Sequence, residues 1–198
     1  MLQLRTPSLI AAQSSISYVT SGQDRGEFQI PFLGNTFSLT WPDLTAYSNT
    51  RDKLPPIFQA LLLYYLATAD GTTLTGKWVS FADLPNGRIY NAAYQGYSGD
   101  EIVKAFGLDL PAFQSACLTL NGSPLEIGSA SFVVQTLPVL PMLVTYWLGD
   151  EDFPSSCKIL FDSSATHYMP IDGCAIAGSM LAKKLRKVKP AAPISGNV

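Results

Sequence analysis

The residues best equipped for chemistry are the carboxylates gathered behind Trp147. Gly149-Asp150-Glu151-Asp152 follows an apolar run that ends in Tyr146-Trp147-Leu148, and Asp162 and Asp172 come soon after. Carboxylates at a strand end can ligate a hard cation through oxygen. Crowding can also raise the pKa of one of them, setting an acid beside a base. The same residues equally make a solvated acidic turn before Phe153-Pro154, and their spacing matches no calcium loop.

Asp162-Ser163-Ser164, with His167 close behind, supplies the residue types of a nucleophile, a base and an acid. Such triads are recognised by geometry and not by sequence proximity. There is no Gly-x-Ser-x-Gly elbow, and Asp-Ser-Ser after a strand is a common turn. His167 is the single histidine, which excludes a histidine-rich zinc site, and a structural role is expected for it. Cys117, Cys157 and Cys174 form an odd set without Cys-x-x-Cys spacing. They read as small core residues in a reducing cytoplasm and not as a disulfide framework or metal site. Cys174 is the exception to watch, because it falls in the first turn of the last expected helix, where the dipole lowers a thiol pKa. Tyr90, Tyr94 and Tyr97, spaced by four and three, would share one face of a helix. They offer either a ligand or partner face or a core cluster with satisfied hydroxyls. Neither a Walker sequence nor a Gly-x-Gly-x-x-Gly loop is present, so nucleotide binding has no support and no cofactor is assigned.

Composition narrows the classes further. The 198 residues are 47% hydrophobic and 14% charged, against about 25% charge in ordinary folded domains. Such a chain can fill a sizeable core and still leave an apolar face for a partner. The net charge of −2 conceals an asymmetry, because Lys183, Lys184, Arg186, Lys187 and Lys189 cluster near the C-terminus. The remainder has 8 bases against 15 acids. An acidic body of this kind lacks the basic track that nucleic acid requires. The longest apolar runs fall short of the ~20 residues of a membrane span.

The surrounding chain reads as α+β: a mainly antiparallel sheet packed against three to four helices. Residues 1–26 are expected to carry little structure, 27–188 to form one domain, and 189–198 to be a flexible tail. Glu27–Leu33 and Thr36–Trp41 flank Gly34-Asn35, which suits a type II′ hairpin. Asp52 is read as the cap of a helix entered through Pro55-Pro56, and its apolar stripe around Leu61, Tyr65 and Leu66 implies burial on more than one side. Ser98 and Glu101 have capping-box spacing. A helix follows Asp109 and Pro111. Ser129–Leu137 and Leu140–Leu148 are β-rich around a Pro138/Pro141 interruption, and Lys158–Phe161 is another strand. Asp172 is placed as the cap of the last helix, whose terminal lysines suit the negative end of its dipole.

Two stretches carry a family resemblance: Phe81–Gly87 running into Tyr90 and Tyr97, and Pro141 to Asp172 with its Trp-x-Gly-Asp-Glu-x-Phe-Pro and Phe-Asp-x-Ser-Ala blocks. Over roughly residues 30–187 the chain resembles an uncharacterised prokaryotic family known as a domain of unknown function. Some of its members carry an added four-cysteine iron–sulphur module like that of corrinoid proteins of one-carbon metabolism. The resemblance points to Trp147, Asp150, Glu151, Phe153, Asp162 and Asp172 as characteristic positions. The three scattered cysteines here cannot by themselves ligate a four-thiolate cluster.

The functional expectation is an accessory domain that binds a small molecule or a partner protein through an aromatic, weakly acidic face. By the resemblance, it is linked to anaerobic one-carbon or corrinoid metabolism. The rival is a carboxylate-based, divalent-metal-dependent enzyme using Asp150, Glu151, Asp162 and Asp172, which requires at least three of these carboxylates to converge.

Overall fold

The structure is a computed structural model that describes residues 5–190. Its first sheet is a meander, β1 (Ser17–Gly22), β2 (Arg25–Phe32), β3 (Asn35–Trp41) and β4 (Ala46–Tyr47), paired antiparallel in that order. The β2–β3 turn is centred on Leu33-Gly34, one residue earlier than the sequence suggests. Both have positive φ, 46° and 78°, so the turn is of the I′ kind and not II′. Leu33 accepts this conformation because it is buried and its amide reaches Thr136 O at 3.1 Å in the other sheet.

The second sheet has five antiparallel strands in the order β5 (Trp78–Val79), β9 (Ser156–Asp162), β8 (Leu140–Trp147), β7 (Ala130–Leu137) and β6 (Ser123–Leu125). β8 is central and buried from Leu140 through Tyr146. That explains its unbroken apolar run, because a strand covered on both faces has no polar side to alternate with. β2 alternates instead, with Phe28, Ile30 and Phe32 inward.

Helices α1 (Pro7–Gln13), α2 (Pro56–Thr68), α3 (Gly87–Tyr97), α4 (Gly99–Phe106), α5 (Leu110–Thr119) and α6 (Ile171–Lys187) complete the described residues. The α+β class holds, with two sheets instead of one and six helices instead of three or four. α5 is capped as its sequence indicates, Asp109 accepting the Ala112 amide at 3.0 Å. Three other expected caps are absent. Pro55, not Asp52, precedes α2, and Pro170, not Asp172, precedes α6. Ser98 donates back to Tyr94 O at 2.5 Å, because α3 ends there and leaves no free turn to cap. The capping box is at Ser80/Asp83, ahead of a short 3-10 turn.

The N-terminal segment is also more ordered than expected. α1 and β1 lie within it, Ile10 is fully buried, and Tyr65 donates its hydroxyl to Ser14 O at 2.6 Å. Apolar contact with α2 orders a stretch whose Ser/Thr content gave no periodic signal. Residues 191–198 of the expected tail lie outside the described residues.

α6 is the hub, packing on α2, α3, α4 and α5. Its inward face carries Gly173, Ala177, Gly178 and Ala182. A Cβ on Gly178 would lie 2.3 Å from the Tyr94 hydroxyl, so the glycine permits the close approach of α3. Among the described residues, no helix is long and apolar enough to cross a membrane.

Candidate functional site

The strand pairing separates the carboxylates. β8 and β9 are antiparallel with Trp147 opposite Ser156 and Met142 opposite Phe161, so the acids after β8 and the acid ending β9 lie at opposite ends of the sheet. The length of β9 puts about 20 Å between them. Asp150 and Glu151 are exposed. Asp150 turns its Oδ1 inward to accept the amides of Asp152 (3.0 Å) and Phe153 (2.8 Å). Trp147 is half-buried, with Lys158 Nζ 6.0 Å above its ring. Asp172 is exposed in the first turn of α6. Among the described residues, no three His, Cys, Asp or Glu side chains are grouped so as to hold a metal ion.

Asp162 is the buried member, and its oxygens are already engaged. Oδ1 accepts from the Thr75 hydroxyl (2.9 Å), the Ser164 amide (2.9 Å) and the Ser164 hydroxyl (2.7 Å), and Oδ2 accepts from the Gly76 amide (2.7 Å). Burial alone would raise its pKa, but the hydrogen bonds from Ser164 and Thr75 outweigh burial and hold the carboxyl below its usual range. It fastens the loop after α2 to the end of β9. A second tie follows, in which His167 Nδ1 meets Asp70 Oδ2 at 2.7 Å and Thr72 Oγ1 at 3.1 Å, and the Tyr168 hydroxyl donates to Thr72 O. The hydrogen bonds from His167 and Thr72 lower the Asp70 carboxyl to about 2. His167 therefore anchors a loop, and Ser163 meets Thr75 Oγ1 at 2.8 Å, not the histidine.

The tyrosines divide. Tyr94 is buried, stacked on Phe81 at 4.2 Å between centroids, and among the described residues its hydroxyl has no hydrogen-bond partner. Tyr90 and Tyr97 are exposed. Desolvation, followed by the nearby Asp172, raises the Tyr97 phenol. The cysteines are all buried. Burial pushes the Cys117 and Cys174 thiols up to about 12 and the Cys157 thiol well above its ordinary value. At Cys174, desolvation overrides the helix-dipole effect.

The structure instead assembles a concave face along the outer side of α6. Three depressions adjoin there, and Lys183 lines each of them. One, of about 900 Å³, lies between α4 and α6 and carries Lys104, Lys183, Arg186, Lys187 and Lys189 around a single acid, Glu101. The next has an apolar floor of Ile57, Tyr97, Ile176 and Met180. The third joins Phe37, Phe58 and Met180 to Lys183, Lys184 and Lys187. Glu101 is engaged by Lys104 at 2.9 Å and by Arg186, and Lys189 donates to Ala105 O at 2.6 Å. Lys183, Lys184 and Lys187 make no ion pair or side-chain hydrogen bond among the described residues, so the face holds uncompensated positive charge over apolar ground. Tyr97 is the one sequence candidate on it. The lysine run is visible in the sequence, but helix-dipole compensation explained it there, and the aromatic floor comes from elements remote in the chain.

Comparison with curated proteins finds no match, and comparison with solved structures finds none either. Residues 6–184 match the model of a family described as Domain of unknown function (DUF3786), and this chain belongs to that family.

Proposed function

We propose that the chain is a non-catalytic binding domain that holds a small molecule or a partner protein on the α6 face. The carrying observation is the convergence of three adjoining depressions on Lys183, with unpaired lysines above an aromatic floor. Concave, mostly apolar sites with a few convergent charges are the usual form of a binding surface, and central aromatic anchors supply most of its energy. The enzyme reading finds no such support, since no three of its four carboxylates are grouped among the described residues and Asp162 is saturated with donors. By the family resemblance, components of anaerobic one-carbon and corrinoid metabolism are the first partners to try.

The test is native purification followed by mass spectrometry of what remains bound. The wild-type chain should retain a molecule that Lys183→Glu/Lys187→Glu loses at unchanged fold stability. A chain that retains nothing, or the same molecules in both forms, overturns the reading.

A further inference from the structure

Phe153 is 72% exposed, yet the loop that carries it is fixed. The Asp150 amide donates to Phe153 O at 2.9 Å, the Asp150 carboxylate accepts two amides in return, and Gly149 N donates to Ser155 Oγ at 2.8 Å. A fixed loop loses little conformational entropy on docking. Beside the ring, the carboxylates of Glu151 and Asp152 are exposed and make no ion pair among the described residues. The loop therefore offers one aromatic ring and two free negative charges. The third depression on α6 offers the complement, an apolar floor at Met180 and Phe58 under three free ammonium groups.

We propose that this α6 groove receives the Asp150–Phe153 loop of a second copy of the chain, in a reciprocal two-fold dimer. The inference rests on the reading of the α6 face as a docking surface. Phe153 lies over Met180, where sulfur–aromatic contact is favourable, and Glu151 and Asp152 face Lys183, Lys184 and Lys187. Reciprocity follows from placement, because loop and groove both approach the C-terminal end of α4. Ser155 Oγ donates to Gly107 O at 3.4 Å, and Lys187 of the groove also lines the neighbouring α4–α6 depression beside Ala105. A two-fold axis near that end lets each copy give a loop and receive one, which closes the assembly at two. Two small contacts fall short of the roughly 1,600 Å² of a standard interface, so the dimer is weak and salt-sensitive.

Sedimentation velocity of the full chain, from micromolar to near-millimolar concentration at low and high salt, tests this. The wild type should dimerise at low salt and dissociate at high salt. Phe153→Ser, which removes an anchor, should weaken the dimer by roughly thirtyfold or more. The loop variant Glu151→Lys/Asp152→Lys and the groove variant Lys183→Glu/Lys187→Glu should each be monomeric alone, with unchanged melting temperatures. Mixed in equal amounts they should form a heterodimer, since one contact is native and the other has both signs reversed. A wild-type chain that stays monomeric, a dimer indifferent to these variants, or a mixture without heterodimer each overturns the proposal. If the chain is monomeric but the groove variant still loses another bound molecule, only the dimer fails and the binding reading stands.

Discussion

Asp162 and Thr75 are 87 residues apart in the chain, and the buried carboxylate of the one accepts both the amide and the hydroxyl of the other, at 3.1 and 2.9 Å. This pair fixes where the loop after α2 meets the second sheet. It also shows why a carboxylate from a chemically suggestive stretch is structural, because its lone pairs are already occupied.

Asp162→Ala leaves the amides of Thr75, Gly76 and Ser164 without their shared acceptor. It should cost about 3 kcal/mol, the scale for losing hydrogen bonds to a buried charge. Urea denaturation measures this, and a change under half that size would show that the loop does not depend on the clamp.

Acid should weaken the same clamp. The folded carboxyls of Asp162 and Asp70 lie below their ordinary values. Their stabilisation is therefore complete above the unfolded-chain value of about 3.9 and is lost as pH falls through the folded values. For Asp70 that window extends down to about 2. Asp162→Asn should be markedly less stable than wild type near neutral pH and closer to it at about pH 3. Urea midpoints at the two pH values give the comparison.

Tyr94→Phe should be neutral or stabilising by up to about 1 kcal/mol, because it removes a buried hydroxyl that has no partner among the described residues. Gly178→Ala should destabilise by about 2 kcal/mol, since the added methyl overpacks against the tyrosine. Its cost should shrink in the Tyr94→Phe background, where the nearest clashing atom is gone. Thermal unfolding of the double-mutant cycle reads this coupling.

Ile10→Ala should destabilise the fold by about 3 kcal/mol, the range for emptying a fully buried aliphatic site. A shift in the urea midpoint near zero would mean that α1 is dispensable to the core.

The three thiols should resist a neutral disulfide reagent in the native state and react together on unfolding, since all are buried and none is held as thiolate. Absorbance during reagent titration, with and without denaturant, follows this directly.

Part of this fold is decided by neighbouring residues among themselves. The α+β class, the Asp109 cap, the strands around Pro138 and the stripe of α6 all follow from periodicity and hydrogen bonds spanning a few residues. Even the acidic turn at Asp150 was legible as a turn, because its bonds close within three residues. Local pattern misled at Leu33, where a distant contact competed and the amide pairs with Thr136, and at Ser98, where α3 runs straight into α4 and the hydroxyl bonds back to Tyr94 O. Long-range pairing and packing put the C-terminal ends of β8 and β9 at opposite ends of the sheet, gave Asp162 its donors from a loop far back in the chain, and laid Phe37, Phe58 and Tyr97 beside the lysines of α6. Strand pairing and burial are sums over residues far apart in sequence, so whether a carboxylate becomes a site or a clamp, and whether a lysine run becomes a groove, is settled only when the chain closes on itself.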